Sequence, residues 1–332
     1  MDLHMPMDTT YSAYFIAPLY NVSITADVSN INLGNYNIIT NDFIFQNLGK
    51  TLYGIEDLYV DIQKPQLGMI CTRPVAKYML FKRIDLYSDN VENFNNNKQI
   101  QEQIAKDVVC LLTTMRIVLG GNIQINRCYI LSEREYHNFG LSLSTSLDHI
   151  DNSLYIENKI YHLDNYILSE ENIKVINEYK ENISKSNPAM WLPISYFMSY
   201  YSTTNLIEKI IKLCTVWETT LLNDRKTELQ YCLMVRGSSL LNSNLNLLFK
   251  IAYDIRSQLI HTGNISTFNQ LHKLVNTSKD DIENLFVFIK KFMEPVTREI
   301  LKKFISIYIK TNKKLESIAK SIDDDIFTKL SS

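Results

Sequence analysis

Arg256 and His261 are the residue types in this chain best suited to chemistry, and four residues separate them in the run Arg256-Ser257-Gln258-Leu259-Ile260-His261-Thr262-Gly263. A histidine titrates near neutral pH and can give or take a proton. The rigid fork of donors on arginine matches phosphate oxygens. Together they spell acid/base chemistry at a phosphate. The run reads as the last turns of an amphipathic helix, stopped by Gly263. At about 100° per residue, Leu248, Ile251, Ala252, Ile255 and Leu259 form its core stripe and Arg256 sits at the edge, with His261 about 140° further round. Tyr253 and Ser257 project between them, and Asp254 lies near the azimuth of His261, two turns back. One face therefore offers Arg, Tyr, Ser, His and Asp. The plainer alternative is a solvated helix end, because a histidine favours the negative end of the helix dipole.

The two preceding helices carry charges where apolar residues are expected. In the first, Ile207, Ile210, Ile211, Cys214, Trp217 and Leu221 make one stripe with Glu218 in its middle. In the second, Leu229, Cys232, Leu233 and Leu240 make the stripe and Arg236 lies on it. A charge facing a core is costly unless paired. The spacing therefore predicts either a buried Glu218–Arg236 pair or a Glu218 that orients Arg256 or His261.

The elements that must hold these residues divide the chain. Residues 1–167 predict an α+β domain of mixed strands and helices. Tyrosine-, isoleucine- and valine-rich runs at 14–24, 68–71 and 78–84 read as strands. The asparagine run 95–97 reads as a loop, and 98–119 as a long helix stopped by Gly120-Gly121. A second strand pair is expected at 128–132 and 141–146. The isolated His137, His149 and His162 read as surface or capping residues. From residue 168 to 310 the pattern is that of an all-α bundle. Ser169-Glu170-Glu171 opens one helix that the Asn187-Pro188 step ends. After Pro193, apolar repeats follow at 194–201, 205–222, 226–241, 244–261, 266–276 and 280–308. The tail 311–332 is polar, and its Asp323-Asp324-Asp325 run reads as solvated.

Composition bounds the function. The chain has 332 residues, 45% hydrophobic and 21% charged, the profile of a globular protein. A net charge of -2 argues against coating nucleic acid non-specifically, though it permits a local basic site. The start has no signal-peptide pattern, and the longest apolar stretch, 108–119, falls short of the ~20 residues of a membrane span. Five cysteines (Cys71, Cys110, Cys128, Cys214, Cys232) with no CxxC pair predict reduced, cytoplasmic thiols and no zinc site. No phosphate-cradling glycine loop or other cofactor motif is present, so neither a cofactor nor a metal is expected.

Arg256-Ser257-x-x-x-His261-x-Gly263 on a late helix of a bundle resembles the signature of HEPN domains, and most closely that of the Apea-like HEPN group. Tyr253, Arg256, Ser257, His261 and Gly263 match; the family usually places the glycine directly after the histidine, whereas Thr262 intervenes here. The resemblance covers the C-terminal half, about 168–308, where Trp217-Glu218 and the Arg236-bearing helix also resemble the earlier helices of the group. It implies a metal-independent endoribonuclease acting on RNA as a homodimer through the C-terminal bundle, in a toxin–antitoxin or antiviral defence setting with an antitoxin or sensor partner. By the resemblance, His261 is the general acid/base and Arg256 grips the scissile phosphate, with Ser257 and Tyr253 in support. Residues 1–167 resemble no family and are expected to sense or regulate. The alternative is a non-catalytic HEPN module binding nucleotide, RNA or a protein partner.

Overall fold

The computed structural model describes residues 10–25, 31–47, 52–58, 76–87, 91–125, 127–140, 153–156, 159–162, 166–185, 188–203, 205–262, 268–275 and 280–331. The chain forms two compact units. The first is Met1–Met115, Gly121–Ser153 and His162–Lys180; the second is Arg116–Gly120, Leu154–Tyr161 and Glu181–Ser332.

An antiparallel sheet of six strands organises the first unit. Its strands are β1 (Thr10–Leu19), β3 (Asn32–Leu33), β4 (Tyr36–Thr40), β5 (Tyr78–Tyr87), β6 (Arg127–Ser132) and β7 (Tyr136–Gly140), in the order β3-β4-β5-β1-β6-β7. Strand β1 is central, with Ala13 opposite Ile84 on one side and Ser132 on the other. Ala13, Phe15, Ile16 and Ala17 are all fully buried, so both faces of this strand are covered. On one face Ile16, Met79, Tyr129 and Leu131 cluster with Ile44 of helix α1 (Asn41–Asn47). On the other, the Phe15 ring lies 5.3 Å from that of Tyr36. The hydroxyl of Tyr36 bonds to Asp107 of helix α2 (Val91–Leu119), which pairs with Lys180 at 2.8 Å.

Three expectations for this half are corrected. The strand predicted over 14–24 breaks at Asn21, which takes a left-handed backbone (φ 60) that asparagine tolerates. The chain resumes as β2 (Val22–Ile24), parallel to β10 (Tyr166–Leu168). The asparagine run 95–97 belongs to α2 rather than to a loop. Asn97 accepts from the Tyr87 amide at 3.0 Å and donates to its carbonyl at 3.0 Å, so its side chain completes the end of β5 while its backbone stays helical. The hairpin partner of β6 is β7; residues 68–71 and 141–146 lie outside the described residues. A short pair, β8 (Ser153–Ile156) and β9 (Lys159–His162), completes the strands among the described residues.

Helices follow: α3 (Glu170–Ser184), α4 (Pro188–Tyr200), α5 (Leu206–Leu221), α6 (Leu229–Leu240), α7 (Asn246–Thr262), α8 (Phe268–Val275), α9 (Asp281–Phe288), α10 (Glu294–Thr311) and α11 (Leu315–Ser331). Helix α4 continues through Pro193, whereas the apolar repeat was read only from residue 194. It forgoes one backbone donor there and buries Met190, Ile194, Phe197 and Met198 around it. Asn205 caps α5, its side chain accepting from the amides of Ile207 and Glu208 at 2.9 and 3.2 Å. The single helix predicted over 280–308 is interrupted by a π turn, Ile289–Met293. Pro295 follows at once and has no N–H to donate, so the ladder shifts register ahead of it. Trp217 anchors the core, donating its indole N–H to Thr297 at 2.8 Å with its ring 4.9 Å from that of Phe249. The polar tail is an ordered helix, because Leu315, Ile318, Ala319 and Ile322 fall on one buried stripe. Among the described residues, no helix is long and apolar enough to cross a membrane.

Candidate active site

Helix α7 carries the Arg/His run on a regular helix to Thr262. Leu248, Ile251, Ala252 and Ile255 are buried as the stripe predicts, Phe249 joins them, and Leu259 is half-buried. Helix α6 comes close because of Gly237, where a Cβ would stand 2.4 Å from the Phe249 ring. The packed face of α7 is thus fixed, and that fixes where its remaining side chains point.

Arg256 leaves α7 at the edge of that face and meets Glu218 of α5, Nη2 to Oε2 at 3.0 Å. The two side chains are 25% and 21% exposed, so water screens the pair only in part. Burial pushes the Glu218 carboxyl up from its ordinary range, and Arg256 opposes that rise. Among the described residues the Arg256 Nε is buried without an acceptor and its Nη1 has none either. Arg256 therefore stands partly neutralised, with donors in reserve.

The Glu218–Arg236 pair is not formed. Helix α5 is turned relative to the predicted stripe, burying Leu206, Leu213, Val216 and Thr220 and leaving Ile207 39% exposed. That turn moves Glu218 from the centre of the core face to its edge, toward Arg256. Arg236 is buried as expected, but its partners are Asp224 and Asp323, at 2.6 and 2.7 Å, and the Leu221 carbonyl. Asp323 comes from the run expected to be solvated. Both carboxyls are held below the usual range by these bonds, and Arg225 adds a second cation on Asp323 at 2.6 Å.

His261 is exposed on the last turn of α7, with no hydrogen bond or ion pair among the described residues. Ser257, one turn earlier, is half-buried. Asp254 does not serve His261; its carboxylate accepts from Gln230 of α6 at 2.6 Å. Tyr253 lines an open depression of about 570 Å³ with Glu228, Leu229, Gln230 and Tyr231. The structure therefore joins Glu218 to Arg256 and leaves Arg256 and His261 without a mutual bond, as two side chains about 140° apart on a regular helix must be. Gly263 lies outside the described residues.

Elsewhere, His137 and His272 each face a carboxylate, Glu135 at 3.2 Å and Asp281 at 2.6 Å. Cys110, Cys128 and Cys214 are buried free thiols and Cys232 is a half-buried one; Cys71 and His149 lie outside the described residues. Among the described residues, no three His, Cys, Asp or Glu side chains gather where they could hold a metal ion. Sequence reasoning missed Asp224, Gln230, Tyr231 and Asp323. Arg236 on an apolar stripe did signal that a carboxylate must meet it, but nothing local said which. No family model, curated protein or solved structure matches this chain.

Proposed function

We propose that the chain is a metal-independent endoribonuclease of the HEPN type, acting on RNA as a homodimer through its helical unit, in a toxin–antitoxin or antiviral setting. The observation that carries this reading is the division of labour along α7: a half-buried Arg256 oriented by Glu218, and an exposed His261, without a partner among the described residues, just over one turn later. RNA carries its own nucleophile in the 2′-hydroxyl. In the proposed reaction the 2′-oxygen attacks phosphorus and the 5′-oxygen leaves, giving a 2′,3′-cyclic phosphate and a free 5′-hydroxyl. The Nη1 donors of Arg256 stabilise the charge that builds on the phosphoryl oxygens. His261 of one copy takes the 2′-proton and His261 of the second protonates the leaving oxygen, so one histidine per chain suffices.

A cleavage assay on single-stranded RNA, comparing the wild type with His261→Ala, tests the reading. The expected result is a loss of ~100- to 10,000-fold in rate, wild-type products ending in cyclic or 3′-phosphates, and resistance of the corresponding DNA. Products with 5′-phosphates, or equal cutting of DNA, overturn it. The second reading is a non-catalytic HEPN module that binds nucleotide, RNA or protein. Glu218 favours it, since that carboxylate already meets the charge of Arg256 in the resting chain. RNA binding with no cleavage under any condition supports that reading.

A further inference from the structure

The depression beside the Arg/His run has the chemistry of a seat for a nucleobase. Tyr231, at the start of α6, is 65% exposed, and Tyr253 of α7 stands in the same wall. Gln230, in the same lining, is held by Asp254 at 2.6 Å and so is fixed before any ligand arrives. Glu228 brings an exposed carboxylate with no ion pair among the described residues. Lys250, also exposed, precedes Tyr253 by one turn, and the spacing Lys250, Tyr253/Asp254, Ser257, His261 keeps all of them on the face opposite the core. A strand laid along α7 thus meets a cation, an aromatic wall and then His261 in succession. An exposed aromatic ring beside a fixed amide and a free carboxylate suits the flat face and hydrogen-bonding edge of an unpaired base.

We infer that this depression seats an unpaired base of the RNA next to the scissile phosphate, stacked on Tyr231 and read at its edge by Glu228. The inference rests on the ribonuclease reading for its substrate class and goes beyond it in naming the reader. Tyr231 supplies stacking that every base can use. Glu228 supplies choice: its carboxylate accepts from the exocyclic amino group of cytosine, adenine or guanine, whereas uracil offers it only the N3–H, flanked on both sides by carbonyl oxygens that repel it. Lys250 offsets the carboxylate for the neighbouring phosphate.

The test is fluorescence anisotropy with labelled oligocytidylate and oligouridylate, using the full-length His261→Ala chain so that nothing is cut. Tyr231→Ala should weaken oligocytidylate binding on the order of 10- to 100-fold, and Tyr231→Phe should retain it. Glu228→Gln should narrow the preference for oligocytidylate over oligouridylate. Thermal melts of both tyrosine variants should match the parent, because the side chain is exposed. If Tyr231→Ala binds like its parent, or oligouridylate binds as tightly as oligocytidylate, the base seat is wrong. RNA bound through Tyr231 but cut by no wild-type preparation sinks the nuclease and leaves the seat standing. RNA cut by the wild type with rate and cut sites unchanged in Tyr231→Ala does the reverse.

Discussion

Arg256 and His261 differ in what surrounds them, and that difference decides how each responds to removal. His261 is exposed and unpaired among the described residues, so His261→Ala should leave the melting temperature within the range of a surface change, ~0.5 kcal/mol. Arg256 is less dispensable than its place off the core stripe implied. Truncating it strands Glu218, a carboxylate whose protonation burial already favours. Arg256→Ala should therefore cost about 1–3 kcal/mol at pH 7. In that variant the Glu218 carboxyl rises further, so the folded chain binds a proton that the unfolded chain has lost. The penalty is full well above the folded value and shrinks as pH falls toward the ordinary glutamate range, about 4.3. Thermal melts at pH 7.5 and pH 5 check this: the gap between variant and wild type should close at the lower pH. A gap that stays constant means that Glu218 does not depend on Arg256. Ser257 and Tyr253 stand on the same outward arc, and neither is bound to Arg256 or His261.

At the scale of elements, the clamp of Arg236 with Asp224 and Asp323 ties the last helix to α6 and to the turn that follows α5. Both carboxyls are depressed by their bonds to Arg236, so their contribution is present above the unfolded aspartate value, about 3.9, and is lost as pH falls through the lower folded values. Acid titration below pH 4 should therefore weaken the wild type more steeply than Asp323→Asn, which has lost part of that contribution already. At pH 7 Asp323→Asn should cost about 1–3 kcal/mol, since Arg236 keeps Asp224 and the Leu221 carbonyl. Parallel acid curves for the two proteins would remove Asp323 from the clamp. Gly237 sets the second contact between elements. Gly237→Ala gains helix propensity but drives a methyl into the ring of Phe249, at 2.4 Å. A net loss of about 1–3 kcal/mol by chemical denaturation is expected. Unchanged stability would show that α6 and α7 can part without cost.

For the whole molecule, the proposed reaction demands two histidines where one chain brings one to α7. Light scattering at micromolar concentration should give twice the mass of the 38.7 kDa chain, and cleavage per chain should fall on dilution through the dissociation range. A monomer with undiminished cleavage sinks the paired site. Because the proposed chemistry runs on Arg256 and His261 alone, cleavage should also survive EDTA. Activity lost to EDTA and restored by magnesium would place the reaction elsewhere.

Sequence by itself determined what depends on neighbours along the chain. The apolar spacing of α7 placed Leu248, Ile251, Ala252 and Ile255 inside and Arg256 at their edge, and the structure keeps them there. The same rule put Arg236 in the interior, and the structure keeps it there. Local pattern also divided strand-rich from helical halves, and the structure has an N-terminal antiparallel sheet followed by a mostly helical region. Tertiary structure alone decided the partners. Glu218 was one of several carboxylates that could meet either arginine, and a modest turn of α5 about its axis sent it to Arg256 instead of Arg236. Asp323 meets Arg236 from 87 residues away, a pairing with no trace in local spacing. Lys209 lies on a helix whose apolar spacing gave it no role. In the fold it is buried, with its ammonium 2.8 Å from the Tyr200 carbonyl and over the Tyr200 ring, and burial pulls its pKa down to about 7. Periodicity reports which face of a helix is apolar, to within a residue or so of rotation. Which charges then face one another depends on that last rotation, and only packing against every other helix fixes it.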